Sequence, residues 1–225
     1  MKGGIIYQPG GLAREYGKLG ANLYNPGLTA GCRAGCRYCS NPHGPAVRAR
    51  RSEVEARPFK PRKDVLERLL MDCGGKFRNC KTPVVMGFVG DIFQPHDEGD
   101  DVTLEALQIM SDHGLVPAVL TKFGTAACES FRFLQSAGGW FGQTCAWHTD
   151  WYQAERWEPH AAHVVNRVEA NRMAFTAGVR TWWSVEPVLN VSQALNFVEF
   201  ASAARFSTGA VDHIKLGKLN GYDTE

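Results

Sequence analysis

Past residue 60, short apolar runs of strand length alternate with longer segments whose apolar residues recur at helical spacing. The runs are 82–89 (TPVVMGFV), 115–121 (LVPAVLT), 140–147 (WFGQTCAW), 179–187 (VRTWWSVEP) and 211–217 (VDHIKLG), with a shorter one upstream at 21–24 (ANLY). Residues 64–73 place Val65, Leu66, Leu69 and Leu70 on one helical face and run into Gly74-Gly75. Residues 103–113 begin at Thr103, an N-cap candidate, and stop at Gly114. Helices are also expected at about 125–137 and 192–204, and residues 160–178 set Ala161, Val164, Val165, Val168 and Phe175 on one face. Such alternation predicts parallel βαβ units. Six strands fall short of the eight of a closed barrel, so the expected fold is α/β, a partial (βα)6 parallel barrel forming a single domain over residues 1–225.

In parallel barrels the chemistry sits in the loops that follow the C-terminal ends of the strands. Here polar and aromatic residues concentrate in those loops. They are a cysteine loop after the first strand, then VGDIFQP (89–95), TKFG (121–124), WHTDW (147–151), VEPV (185–188) and GKLN (217–220). The helices between them are bland. This asymmetry predicts an active site at that rim, with Trp147, His148, Trp151 and Glu186 around its mouth. Packing alone does not call for a carboxylate at Glu186, which precedes Pro187 at a strand end; a substrate or proton-handling role is expected.

Composition changes little. The chain is 44% hydrophobic and 21% charged, an ordinary globular balance that argues against disorder. A net charge of +2 singles out no partner, but residues 48–63 carry seven Lys/Arg against two Glu, either a solvated basic face or a phosphate-facing patch. The opening MKGGIIYQPGG lacks the apolar core of a signal peptide, and no run approaches ~18 apolar residues. A cytoplasmic protein without membrane association is expected. In a reducing compartment the seven cysteines point to metal ligands or redox groups rather than disulfides. Cys73, Cys80 and Cys128, on or near helices, are expected to be structural.

The other clustered thiols are Cys32, Cys36 and Cys39, spaced C-x3-C-x2-C within CRAGCRYC. With His43 they make a possible Cys3His zinc site. Alternatively, three thiolates hold a [4Fe–4S] cubane and leave one iron open to another ligand.

CRAGCRYC, with an aromatic before its last cysteine, resembles the signature of the radical S-adenosylmethionine (SAM) superfamily. The resemblance implies that the open iron chelates SAM, and that an electron from the reduced cluster cleaves SAM to a 5′-deoxyadenosyl radical. An external electron donor such as flavodoxin or ferredoxin is implied with it. The stretch AREYGKLGANLYNPGLTAGCRAGCRYCSNP, followed in order by VGDIFQP, AVLTK, WSVEPVL and HIKLGKLN, is similar to a narrower branch. That branch comprises proteins like spore photoproduct lyase, including phage-associated ones. By this likeness Tyr38 lies near the adenine, Gly90 and Asp91 receive the methionine amino group, Lys122 reaches the carboxylate, and Cys145 lies near the ribose. Read from the residues alone, Asp91 can equally cap a turn, Lys122 be solvated and Cys145 be a small buried hydrophobe.

One position departs from the branch. The lyase returns a hydrogen atom to its thymine radical from a cysteine three residues before the second-strand aspartate, and here that residue is Phe88. Repair of thymine lesions is therefore not expected. The first expectation is a radical rearrangement, isomerase or lyase in type, on a thymine-derived group in DNA or a nucleotide, as in thymidine hypermodification. It returns hydrogen from 5′-deoxyadenosine, or from Cys145 if that side chain faces the cavity. Two alternatives stay open: a radical SAM enzyme acting on a peptide or small metabolite, and a non-enzymatic zinc module.

Overall fold

The computed structural model describes residues 4–9, 18–24, 32–39, 60–87, 90–96, 101–147, 149–207 and 212–218. Seven strands among them form one sheet in sequence order: β1 (Ile6–Tyr7), β2 (Leu19–Ala21), β3 (Pro83–Met86), β4 (Val116–Thr121), β5 (Trp140–Thr144), β6 (Arg180–Val188) and β7 (His213–Lys218). From β2 to β7 every neighbour is parallel, which gives the six parallel strands expected. β1 adds an antiparallel edge to β2 that the apolar pattern did not show, being only two residues long.

Helices connect the parallel strands: α1 (Val65–Gly74), α2 (Thr103–Asp112), α3 (Phe131–Ala137), α4 (Trp151–Trp157), α5 (Val164–Thr176) and α6 (Val191–Ser207). The segment expected as one helix at 125–137 is a 3-10 helix, Gly124–Ser130, running into α3. The strand expected at 21–24 lies slightly earlier, and Tyr24 makes only an isolated bridge to Pro61. α4 begins at the last residue of the loop read at 147–151 and runs through residues to which the apolar pattern assigned no element; the Asp150 carboxylate caps it, accepting the Gln153 N–H at 3.1 Å.

Strands β3 and β4 are buried almost throughout, as strands covered on both faces must be. On the helix side, Leu69, Val84, Met86, Leu107, Met110, Val119, Leu134, Phe141 and Ala170 join one large core. A second cluster sets Trp183 and Val185 of β6 against Ala194, Phe197 and Ala201 of α6. Strand alternation then turns Trp182, Ser184 and Glu186 to the opposite face. There Gly142 leaves room for the Trp182 indole, which a Cβ at 142 would meet at 2.2 Å.

Three expected helix details are corrected. Leu70 is 47% exposed, and Cys73 takes its place on the buried face of α1. On α5, Val165 and Phe175 point outward, while Val164, Arg167, Ala170, Asn171 and Ala174 are buried. The helix turns this way because buried acceptors await Arg167. Thr103 is the first residue of its helix rather than its cap. Its hydroxyl donates to the Ile92 carbonyl at 2.9 Å, and Asp101 accepts its N–H at 2.8 Å. Among the described residues, no helix is long and apolar enough to cross a membrane.

Candidate active site

The cysteine loop, 32–39, is fixed by backbone hydrogen bonds from two directions. Within it, the Gly35 N–H donates to the Cys32 carbonyl at 3.3 Å and the Cys39 N–H to the Cys36 carbonyl at 3.1 Å. Gly35 has φ +61°, and a Cβ there would press on His160 at 3.2 Å, so the turn needs glycine. From one side comes the loop after β3. Buried Gln94 accepts the Arg33 N–H at 2.6 Å, and Asp91 lies close enough to Cys32 to act on its thiol. From the other comes the segment after α4, where the Trp157 carbonyl accepts the Arg37 N–H at 2.9 Å and the His160 N–H donates to Ala34 at 3.4 Å.

Cys32, Cys36 and Cys39 all lie outside disulfides, at intermediate exposure. Burial pushes the Cys32 thiol up, and the nearby Asp91 carboxylate adds to this. Burial pushes Cys36 to about 12, with Lys122 and Arg167 opposing and Glu158 and Cys32 reinforcing. Cys32 and Cys36 therefore lie within electrostatic reach of Asp91 and Lys122 on neighbouring strand ends. Among the described residues no three His, Cys, Asp or Glu side chains, these cysteines included, stand at single-ion distances. Thiolates are the donors a [4Fe–4S] cluster takes, and three cysteines on one loop suit that donor set.

Tyr38 is buried against Ala146, Trp147 and Ala154, with its ring 6.5 Å from that of Trp157. Lys122, at the end of β4, holds its Nζ 5.7 Å from the centre of the Tyr38 ring. Asp91 is 8% exposed, and its carboxylate is heavily engaged. Oδ1 accepts from the Thr121 hydroxyl at 2.7 Å and the Phe93 N–H at 3.1 Å, and Oδ2 accepts from the Lys122 N–H at 2.6 Å. These bonds fill three of a carboxylate's roughly four acceptor positions, leaving about one for a ligand. Burial raises the carboxyl above its ordinary range against the pull of those donors. Gly90 immediately precedes it, half-buried.

Cys145 stands apart from these groups. Its thiol is 1% exposed, donates to the Trp147 carbonyl at 3.1 Å, and packs with Val164, Trp183, Val185, Ala194, Phe197 and Ala201. Burial pushes it to about 12. Glu186 accepts the Ser184 hydroxyl at 2.9 Å and lies 3.7 Å from Lys215 Nζ, with its carboxylate where a Cβ on Gly217 would be. Of the mouth aromatics, Trp147 is buried and Trp151 is 52% exposed, edge-on to His163 at 4.9 Å. His43, Phe88, His148 and basic residues 48–59 lie outside the described residues. Of the three structural cysteines expected, Cys73 is buried in the large core, and Cys80 and Cys128 pack against it.

The sequence reading missed a buried pair. Arg167 on α5 and Glu158 after α4 form an ion pair at 2.6 Å with 2% and 1% of their side chains exposed, and the other Glu158 oxygen accepts the Tyr38 hydroxyl. Burial pushes Glu158 up against the pull of Arg167. It pushes Arg167 down, and the Glu158 charge more than restores it. The one signal in the sequence was an arginine at i+3 from Val164 and i−3 from Ala170, on the face that turns inward.

Neither a protein-family model nor a curated protein matches the sequence. Solved structures do match. Spore photoproduct lyase complexed with dinucleoside spore photoproduct superposes with a TM-score of 0.63 over 93% of this chain, at 15% identity. The fold resembles that of spore photoproduct lyase. A mutant lyase with bound AdoMet and dinucleoside spore photoproduct gives a TM-score of 0.65 over 91% of the chain at 16% identity, and a further single-site mutant 0.62 over 93% at 14%. The chain spans 58% of the length of the first of these lyase structures and 57% of the second.

Proposed function

We propose that this chain is a radical SAM enzyme, with Cys32, Cys36 and Cys39 as thiolate ligands of one [4Fe–4S] cluster. The observation that carries this reading is convergence. The three cysteines of one loop after β2 come together with Tyr38, the Gly90-Asp91 turn after β3 and Lys122 at the end of β4. The lyase likeness supports it, since one matched structure holds AdoMet. When bound and reduced, the cluster would supply the electron that cleaves SAM to a carbon-centred radical.

The protein's own residues place the cofactor and exclude water. Lys122 offers an ammonium for the SAM carboxylate, and the Gly90 backbone with the last Asp91 acceptor position offers a seat for its amino group. Tyr38 gives an aromatic surface for the adenine. Glu186, braced by Ser184 and Lys215, offers a carboxylate for substrate contact or proton handling. The substrate is read as a thymine-derived group in DNA or a nucleotide, supported by the dinucleoside in the matched structures and the basic 48–63 segment. A flavodoxin- or ferredoxin-like donor supplies the electron.

Anaerobic purification followed by iron and sulfide analysis tests the cluster. Four iron and four sulfide per chain are expected, and Ala at Cys32, Cys36 or Cys39 abolishes both assembly and SAM cleavage, because two thiolates hold a cubane poorly. Stoichiometric zinc without sulfide would instead support the Cys3His module. With candidate DNAs, SAM labelled with deuterium at the adenosyl 5′ carbon should pass deuterium into the product. Stoichiometric 5′-deoxyadenosine with unlabelled product would overturn the rearrangement and leave a SAM-consuming modification.

A further inference from the structure

The buried pair Glu158–Arg167 has no part in the functional reading above, yet it joins the cysteine loop, the end of β5 and the segment after α4. Arg167 spreads its guanidinium over three acceptors: Nε to the Ala162 carbonyl at 2.7 Å, Nη1 to the Thr144 carbonyl at 2.8 Å and Nη2 to Glu158 at 2.6 Å. Glu158 passes the connection on to the Tyr38 hydroxyl. The segment carrying Glu158 is tied at both ends. Trp157 accepts from Arg37 at 2.9 Å, and Ala162 donates to the Lys122 carbonyl at 2.9 Å. Residues 157–162 thus bridge the cysteine loop and the end of β4.

Burying two charges is costly, and an apolar pair of similar volume commonly serves stability as well or better. What an apolar pair cannot supply is a fixed acceptor for the Tyr38 phenol at the back of the loop. We infer that Glu158 and Arg167 are positioning residues that hold Tyr38, and through it the cysteine loop, at a set distance from Lys122. This inference rests on the reading of Cys32, Cys36 and Cys39 as cluster ligands.

Two variants separate positioning from general support of the fold. Tyr38→Phe removes only the hydroxyl and keeps the ring against Trp157 and Lys122. The double variant Glu158→Met with Arg167→Met removes both charges and the acceptor of the Tyr38 hydroxyl at nearly constant volume, which avoids stranding one charge in the core. Hydrogen–deuterium exchange of the chelator-stripped protein is measured first. Then the g-values of the dithionite-reduced, reconstituted cluster are read by electron paramagnetic resonance.

Loss of one buried hydrogen bond predicts about tenfold faster exchange over residues 32–39 in Tyr38→Phe, with β5 and β6 as protected as in the wild type, and the double variant, which also loses the Arg167 bonds to Thr144 and Ala162, should loosen the loop at least as much. The g-values should also move from the wild-type values in both. Loop exchange within about twofold of wild type in Tyr38→Phe, equal loosening of β5 and β6, or unchanged g-values would each overturn the inference. A wild-type protein that assembles no cluster would sink the functional reading instead, and the exchange measurement on stripped protein would still decide this one.

Discussion

Asp91 offers the sharpest test of how the site is held, because its carboxylate serves the protein before it can serve a ligand. It accepts from Thr121 at 2.7 Å, from the Lys122 N–H at 2.6 Å and from the Phe93 N–H at 3.1 Å. In Asp91→Asn, either amide orientation sets an NH2 against a backbone N–H, that of Lys122 or that of Phe93. Losing one charge-assisted bond costs about 1.5–3 kcal/mol, and removing a charge that burial already penalises returns part of this. A net loss of about 1–2 kcal/mol is expected for Asn. Asp91→Ala strands two N–H groups and a hydroxyl, and about 3–5 kcal/mol is expected. Urea unfolding of stripped protein, followed by tryptophan fluorescence, reads both. At a slope of about 2.5 kcal/mol/M the midpoint falls by about 0.4–0.8 M for Asn and more than ~1 M for Ala. If Asn leaves the midpoint within ~0.2 M of wild type while SAM affinity drops tenfold or more, Asp91 is a ligand group and not a brace, and the reasoning fails.

Two further variants probe neighbouring features. Lys122→Ala should weaken SAM binding to reconstituted protein by about 10- to 100-fold, the worth of one charge-assisted contact, while iron and sulfide content stay at wild-type levels. Unchanged affinity by calorimetry would remove Lys122 from the pocket. Gly142→Ala should destabilise by about 1–3 kcal/mol, because its methyl would meet the Trp182 ring at 2.2 Å and β5 and β6 have little room to part. An unchanged melting temperature would mean that the indole swings aside.

The parallel strands were legible because nearly every residue in β3 and β4 is buried, so strand length and β-branched content alone mark them. The cysteine turn was legible from spacing. Orientation within the helices was less so. Hydrophobic periodicity treats arginine as solvated, so it set Val165 and Phe175 on the inner face of α5 where the structure sets Arg167 and Asn171. The acceptors that draw Arg167 inward are Thr144, Glu158 and Ala162, two of them backbone carbonyls that no side-chain pattern encodes. Asp91 was expected as a SAM contact or a turn cap and not as a brace, because its partners Thr121 and Lys122 come from a strand end some thirty residues away.

The distribution of thiols bears on how a radical formed at this site would end. A substrate radical needs a hydrogen donor in contact with it. Cys145, the one thiol near the rim outside the cysteine loop, is turned into the apolar layer beneath α6 and donates to the Trp147 carbonyl. Cys73 is buried in the large core, and Cys80 and Cys128 pack against the same core. Phe88, at the sequence position where the lyase branch keeps its donor cysteine, carries no transferable thiol hydrogen in any conformation. The described residues thus place no thiol of this chain, apart from the proposed cluster ligands, where it faces the convergence of Tyr38, Asp91 and Lys122. Under the proposed radical SAM reading, hydrogen return would fall to a donor other than these thiols, and the methyl group of 5′-deoxyadenosine is the donor that the deuterium-labelled SAM experiment tests. Deuterium in the product would support rearrangement with return of SAM, and its absence would point to a SAM-consuming reaction.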